Sequence, residues 1–266
     1  MSRQLPRFRR YGSPPYQIVV VHGGPGAPGE VAPVARELAD EWGVLEPLQS
    51  QTSIAALVLE LKTLLEQQAS LPVVLIGHSW GAWLSIILAA HHPQLVKKLI
   101  LVSSGSLDEA YRYKMDATRL QRLSAEEREE LQRVNLCLDD DACADQESAF
   151  ARLGTLMSRL DGFDPITTKS DILEYQYRIY RTVWPEAVAL RASGELLCLA
   201  GAIECPVLAI HGDYDAHPAA GVREPLAQVV KEFRFILLAR CGHTPWQERW
   251  AREAFYRILR AELTKG

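Results

Sequence analysis

Gly77-His78-Ser79-Trp80-Gly81 sets a serine between two glycines, with an apolar run on either side, VVLI before it and LSIILAA after it. A serine hydroxyl is a weak nucleophile, and it becomes reactive when a base takes its proton and an acid orients that base. Average residue usage predicts about 0.1 chance matches to GxSxG in a chain this long, so the flanks carry the weight of the argument. A serine on a sharp strand-to-helix turn projects its Oγ above the sheet and aims the N-terminus of the next helix at the reacting atom, where backbone N–H groups stabilise an oxyanion. The bland alternative is a serine that only caps that helix.

Among seven histidines, His243 in Arg240-Cys241-Gly242-His243-Thr244-Pro245 falls in the loop directly after the last predicted strand, free to reach Ser79. His22, His78, His91, His92 and His211 fall at strand ends, in the turn or in a helix, where a structural role suffices. His217 sits in a loop at the same rim and reads as a substrate contact. For the acid, His211-Gly212-Asp213-Tyr214-Asp215-Ala216 follows another predicted strand, and both aspartates remain candidates.

These residues need a scaffold, and the chain alternates short apolar runs with longer amphipathic ones, as βαβ units do. Residues 17–21 (QIVVV), 73–76 (VVLI), 99–102 (LILV), 206–210 (PVLAI) and 233–238 (FRFILL) read as strands buried on both faces. Helices are predicted over 52–69, 80–91 and 245–263, the last with Trp250, Ala254, Phe255 and Ile258 on one face. From 106 to 201 the strand signal vanishes, and charged helical stretches replace it. There Ser124 and Glu127 match a capping box. Phe150, Leu153, Met157 and Leu160 give one apolar face, and Ile172, Gln176, Ile179 and Val183 a looser one.

At 266 residues, 48% of them hydrophobic, the chain can bury one large α/β core. A net charge of −4 gives no field that selects nucleic acid or an anionic membrane. No run of about eighteen apolar residues occurs, and residues 1–15 carry four arginines without a signal-peptide core, so a cytoplasmic protein is expected. The five cysteines lack CxxC or zinc-ligand spacing and read as reduced packing residues, and no metal or other cofactor is implied.

Taken together, the Ser, Asp, His order and the elbow resemble the α/β-hydrolase superfamily over nearly the whole chain. The resemblance implies a mostly parallel, doubly wound sheet, with a core of residues 1–105 and 202–266 and a helical cap of residues 106–201. It selects Asp215 over Asp213 as the acid. His22-Gly23-Gly24-Pro25-Gly26 resembles the oxyanion loop of the proline iminopeptidase group, which implies that the N–H groups of Gly24 and Trp80 form the oxyanion hole. The superfamily opens with two antiparallel strands, yet only sixteen residues precede Gln17, so one or both are expected to be missing. Residues 43–46 would then be a sheet edge protected by Glu46 and Pro47.

In the cap, Tyr175, Tyr177, Tyr180 and Trp184 either line an apolar pocket or form the cap's own core. Glu174 and Glu186 are the loose candidates for gripping a substrate amine, but each has a plain alternative. Glu174 lies i, i+4 from Arg178 on a predicted helix, and Glu186 follows Pro185 where a first helical turn would favour an acid. The expectation is therefore a serine hydrolase with Ser79, His243 and Asp215 as its machinery, acting through an acyl-enzyme on a small molecule or short peptide. Short-chain ester cleavage is favoured over prolyl-peptide cleavage. Acyl transfer, C–C bond hydrolysis and a receptor-like member with little turnover are the remaining alternatives.

Overall fold

The computed structural model describes residues 7–166 and 170–265. The first six residues of the arginine-bearing N-terminus therefore lie outside the described residues.

Among the described residues seven strands form one sheet in the order β1-β3-β2-β4-β5-β6-β7: β1 (Phe8–Tyr11), β2 (Tyr16–Val21), β3 (Gly43–Pro47), β4 (Val73–His78), β5 (Val96–Val102), β6 (Val207–Gly212) and β7 (Phe233–Leu238). Among these seven strands only β1 runs antiparallel, against β3, and the other strand pairings are parallel. Because successive strand side chains point to opposite faces, β2 sends Val19 and Val21 into one core and Ile18 and Val20 into the other. On the first face lie α2 (Ile54–Gln68), α3 (Trp80–His91), α8 (Glu195–Gly201) and α9 (Ala220–Val229). On the second lie α1 (Ala32–Leu38) and α10 (Arg252–Leu263). A sheet covered on both faces explains why its strands read as continuous apolar runs.

The strand order turns back at β2, which lies between β3 and β4. At such a switch point the loops after neighbouring strands diverge and leave a crevice at their C-terminal ends. Here those loops are the glycine-rich segment after β2 and the serine turn after β4.

Between β5 and β6 the chain is helical. It forms α4 (Arg112–Arg122), α5 (Ala125–Asp139), α6 (Gln146–Asp161), α7 (Tyr177–Ala192) and α8. The Ser124–Glu127 capping box starts α5 as expected. Phe150 and Leu160 of α6 are buried, with Leu153 and Met157 packed beside them.

As expected, one strand precedes Gln17 among the described residues; it covers β3, so residues 43–46 lie next to the sheet edge. Several other expectations need correction. Glu46 is fully buried, accepting a hydrogen bond from Tyr11 Oη at 2.6 Å with Arg9 Nε 3.6 Å away. It anchors β1 rather than protecting an edge. Cys137 and Cys143 form a disulfide across the α5–α6 turn, so these two are not reduced packing residues; Cys198, Cys205 and Cys241 are free. The last helix begins at Arg252, after a short 3-10 turn at Pro245–Gln247. Trp250 is 53% exposed beneath the Arg240 guanidinium and shares no face with the buried Phe255. Helix α7 begins only at Tyr177, so Ile172 and Gln176 precede it, and the helical face expected to join them to Ile179 and Val183 does not form.

Candidate active site

The serine turn is built by its glycines. A Cβ at Gly77 would lie 2.4 Å from the Gly81 carbonyl oxygen, and one at Gly81 would lie 2.4 Å from the His22 carbonyl oxygen. Glycine alone permits strand, helix and the loop after β2 to close to this distance. Between them Ser79 adopts φ 51° and ψ −117° at the start of α3, and its side chain makes no capping hydrogen bond. That conformation is strained for a residue with a Cβ. It leaves Oγ free for another partner.

That partner is His243. Ser79 Oγ lies 3.0 Å from His243 Nε2, and His243 Nδ1 donates to Asp215 Oδ2 at 2.7 Å. The loops after β4, β6 and β7 thus bring together three residues far apart in sequence. It is Asp215 that meets His243, whereas Asp213 Oδ1 accepts from the Cys241 backbone N–H at 3.2 Å. Burial raises the Asp215 carboxyl, but the imidazoles of His243 and His217 outweigh it and hold the group well below the ordinary aspartate value. Burial lowers His243, and the Asp215 carboxylate more than offsets this, leaving the imidazole above its ordinary value of 6.5. An imidazole held in one tautomer by a buried carboxylate can, in its neutral form, take the serine proton.

Gly24 lies in the loop after β2 with φ +47°, and Trp80 opens α3. A scaffold that the sequence did not reveal holds both. Trp80 Nε1 donates to Gln49 Oε1 at 2.8 Å, and Gln49 Nε2 donates to the His22 carbonyl at 3.1 Å. The Gln49 N–H meets His22 Nε2 at 3.3 Å, while His22 Nδ1 lies 2.7 Å from the Gly23 carbonyl. Burial holds His22 down at about 4, so its ring is neutral, with Nδ1 as donor. The clue to Gln49 is its place just past the C-terminal end of β3.

Glu30 was likewise missed. Its Oε2 accepts from the Gly23 N–H at 2.9 Å and from His78 Nδ1 at 3.0 Å, while His78 Nε2 donates to the His243 carbonyl at 3.1 Å. Burial raises Glu30, but the adjacent His78 outweighs it and brings the carboxyl to about 2. Glu30 thereby ties the loop after β2 to the serine turn. No local pattern in the sequence marks it.

The helical segment closes over these loops. The His243 N–H donates to the Asp161 carbonyl at 3.0 Å, and Arg122 donates to the Leu160 and Tyr214 carbonyls at 2.7 and 2.8 Å. The carboxylate of Glu248, fully buried, accepts from the N–H groups of Gly242, Phe163 and Asp164 at 2.8–2.9 Å. The Gln176 and Leu173 N–H groups donate to Gly26 and Pro28.

Of the residues expected to meet substrate, His217 lies against Asp215. Tyr175 packs edge-on to Phe150 within the helical segment, whereas Trp184 stacks on Trp83 of α3 at 5.9 Å. Glu174 precedes α7 and accepts from Gln176 Nε2 at 2.5 Å, so it shares no helical turn with Arg178. Pro185 lies inside α7 rather than at its start, and Glu186 Oε2 accepts from the Ile54 N–H at 2.8 Å, capping α2. Asp215, His217 and His243 offer ligand atoms within 4.8 Å of one another, and the Asp215 carboxylate already accepts from Nδ1 of both imidazoles.

With fold and geometry in hand, the chain belongs to the alpha/beta hydrolase family, whose sequence model matches residues 18–254. Its structure is similar to that of VinJ, with a TM-score of 0.69 at 18% identity, over 97% of this chain and 94% of that one. It is also similar to the meta-cleavage product hydrolase CumD of Pseudomonas fluorescens IP01, with a TM-score of 0.65 at 15% identity over 97% and 93% of the two chains. The enol-lactonase of Burkholderia xenovorans LB400 gives a TM-score of 0.61 at 19% identity over 97% and 95%. At these identities the likeness is one of fold. No curated protein matches the sequence. Among the described residues no helix is long and apolar enough to cross a membrane.

Proposed function

We propose that this protein is a serine hydrolase that cleaves small esters through an acyl-enzyme. The observation that carries this reading is the aligned relay from Ser79 Oγ through His243 to Asp215, at 3.0 and 2.7 Å, on a strained turn. In the first step His243 Nε2 takes the proton as Ser79 Oγ adds to the carbonyl carbon, and the N–H groups of Gly24 and Trp80 receive the developing oxyanion. His243 then returns the proton to the leaving alkoxide. Water repeats the sequence and frees the acid. Helices α4 to α7 act as a cap that excludes water from the acyl-enzyme.

An ester is preferred to a prolyl peptide because an iminopeptidase must pair a buried ammonium with a carboxylate, and an unpaired one would cost several kcal/mol. Glu174 and Glu186 already hold Gln176 and the start of α2. A fluorophosphonate probe should label Ser79 in the wild type and not in Ser79→Ala. Turnover of a short-chain p-nitrophenyl ester should exceed that of a prolyl arylamide in kcat/KM. Efficient cleavage of the free-amine arylamide, abolished by N-acetylation, would overturn the ester preference; labelling at another serine would overturn the mechanism.

A further inference from the structure

Asp215 carries two imidazoles, not one. His217 donates to Asp215 Oδ1 twice, from its backbone N–H and from ring Nδ1, each at 2.9 Å, while His243 Nδ1 takes Oδ2 at 2.7 Å. The His217 ring lies over the His243 ring with centroids 4.5 Å apart and planes at 22°. Beneath it, His211 Nε2 donates to the His217 carbonyl at 2.8 Å and lies 3.5 Å from Asp215 Oδ2. Among the described residues the buried His211 Nδ1 has no hydrogen-bond partner, and burial lowers this imidazole below its ordinary value.

We propose that His217 is a positioning residue for the relay: its ring N–H fixes the Asp215 carboxylate with Oδ2 facing His243, and so sets the basicity of His243. This rests on the reading of Ser79, His243 and Asp215 as the hydrolytic relay. It replaces the substrate contact that the sequence suggested for His217.

A carboxylate bound only through Oδ2 could turn about its Cβ–Cγ bond, and the two donors of His217 remove that freedom at Oδ1. They also draw electron density from the carboxylate, so His243 sees a weaker base than a bare aspartate. The groups facing the two rings are Asp215 and His211 of the β6 side, Arg119 of α4, Asp161 at the end of α6, and Glu30 and His78 behind His243. Burial opposes a second proton on His217, as do the charges of His243 and Arg119, and together they outweigh Asp215 and hold the ring down at about 4. A neutral ring is therefore what stacks on His243 when serine attack turns the latter into an imidazolium. Two cations stacked there would repel.

The two properties of His217 can be separated. His217→Phe keeps a ring for the stack and removes the donor, whereas His217→Asn places an amide N–H near the position of Nδ1 and removes the ring. The far-downfield proton resonance of His243 Nδ1–H, followed against pH in the full chain, reads the His243 pKa without needing turnover. Kinetics on p-nitrophenyl acetate read kcat, KM and the acid limb of kcat/KM. In His217→Phe the His243 pKa and the acid limb should rise by about half a unit or more, and kcat should fall about tenfold with KM within about twofold. His217→Asn should return the pKa close to the wild-type value. If His217→Phe does not fold, His217→Gln, whose amide sits where Nε2 was, should give the same upward shift.

A several-fold rise in KM with kcat and the His243 pKa unchanged would make His217 a substrate contact and overturn the proposal. So would equal shifts in the Phe and Asn variants, or none in either. If the wild type fails to label at Ser79, the hydrolase reading falls, and the resonance still decides whether His217 sets the His243 pKa.

Discussion

The Cα of Gly81 and the carbonyl of His22 are in direct contact, so closely that a Cβ at residue 81 would lie 2.4 Å from that oxygen. The first turn of α3 and the loop after β2 therefore form one rigid unit, which carries both the serine and the N–H groups beside it. Replacing Gly81 by alanine must push the two apart. Gly81→Ala should cost about 1–3 kcal/mol by urea denaturation, as overpacking does, and should abolish fluorophosphonate labelling even where the fold survives.

Asp215→Asn should lower kcat by about 10⁴, as loss of the correct imidazole tautomer does in other relays, and should also lower the thermal midpoint, because an amide keeps only one acceptor oxygen for the three N–H groups that meet this carboxylate. Asp213→Asn keeps an acceptor for the Cys241 N–H and should leave kcat within a few-fold of wild type. The pair of rate constants checks which aspartate orients His243, and the reverse order of effects would move the role to Asp213.

The pH dependence follows from opposite shifts. In the proposed mechanism the base is neutral His243, whose pKa lies above 6.5, so kcat/KM should fall as pH drops through that raised value, giving an acid limb centred above 6.5. Stability should behave differently. His22 and His217 titrate near 4 when folded and near 6.5 when unfolded, so below 6.5 the unfolded chain binds more protons. The folded state should lose stability progressively from about pH 6.5 to about pH 4, and urea midpoints across that range check it.

Glu248 provides a test of the link between the helical segment and the relay. It satisfies three backbone N–H groups in a site closed to water, and one of these belongs to Gly242, next to His243. Glu248→Ala leaves all three unpaired and should cost about 3 kcal/mol or more. Glu248→Gln retains one acceptor oxygen and should cost less in stability, yet still lower kcat by loosening the histidine loop. Thermal midpoints and kcat for both variants decide this.

The sheet was legible because its signals are local. Runs such as VVLI and LILV are short, apolar throughout and rich in β-branched residues, as strands covered on both faces are, and GHSWG between such a run and an apolar helix fits a tight strand-to-helix turn. The loop positions of Asp215 and His243 followed from the strands before them.

What tertiary structure decided lies in contacts between distant segments. The sequence offered Glu46 as edge protection, and the fold buried it under β1. It offered Glu186 as an amine ligand, and the fold placed its carboxylate on the Ile54 N–H, 132 residues away. It paired Cys137 with Cys143 by turning the chain between two helices, where the count of five cysteines suggested packing alone. His217 read as a loop residue near the rim, and only the fold laid its ring over His243 and its N–H groups on Asp215. Periodicity records which face of an element is buried, since that is set by the element's own residues. The partner of a buried polar atom is set by whichever segment arrives there, and that is fixed only when the whole sheet closes.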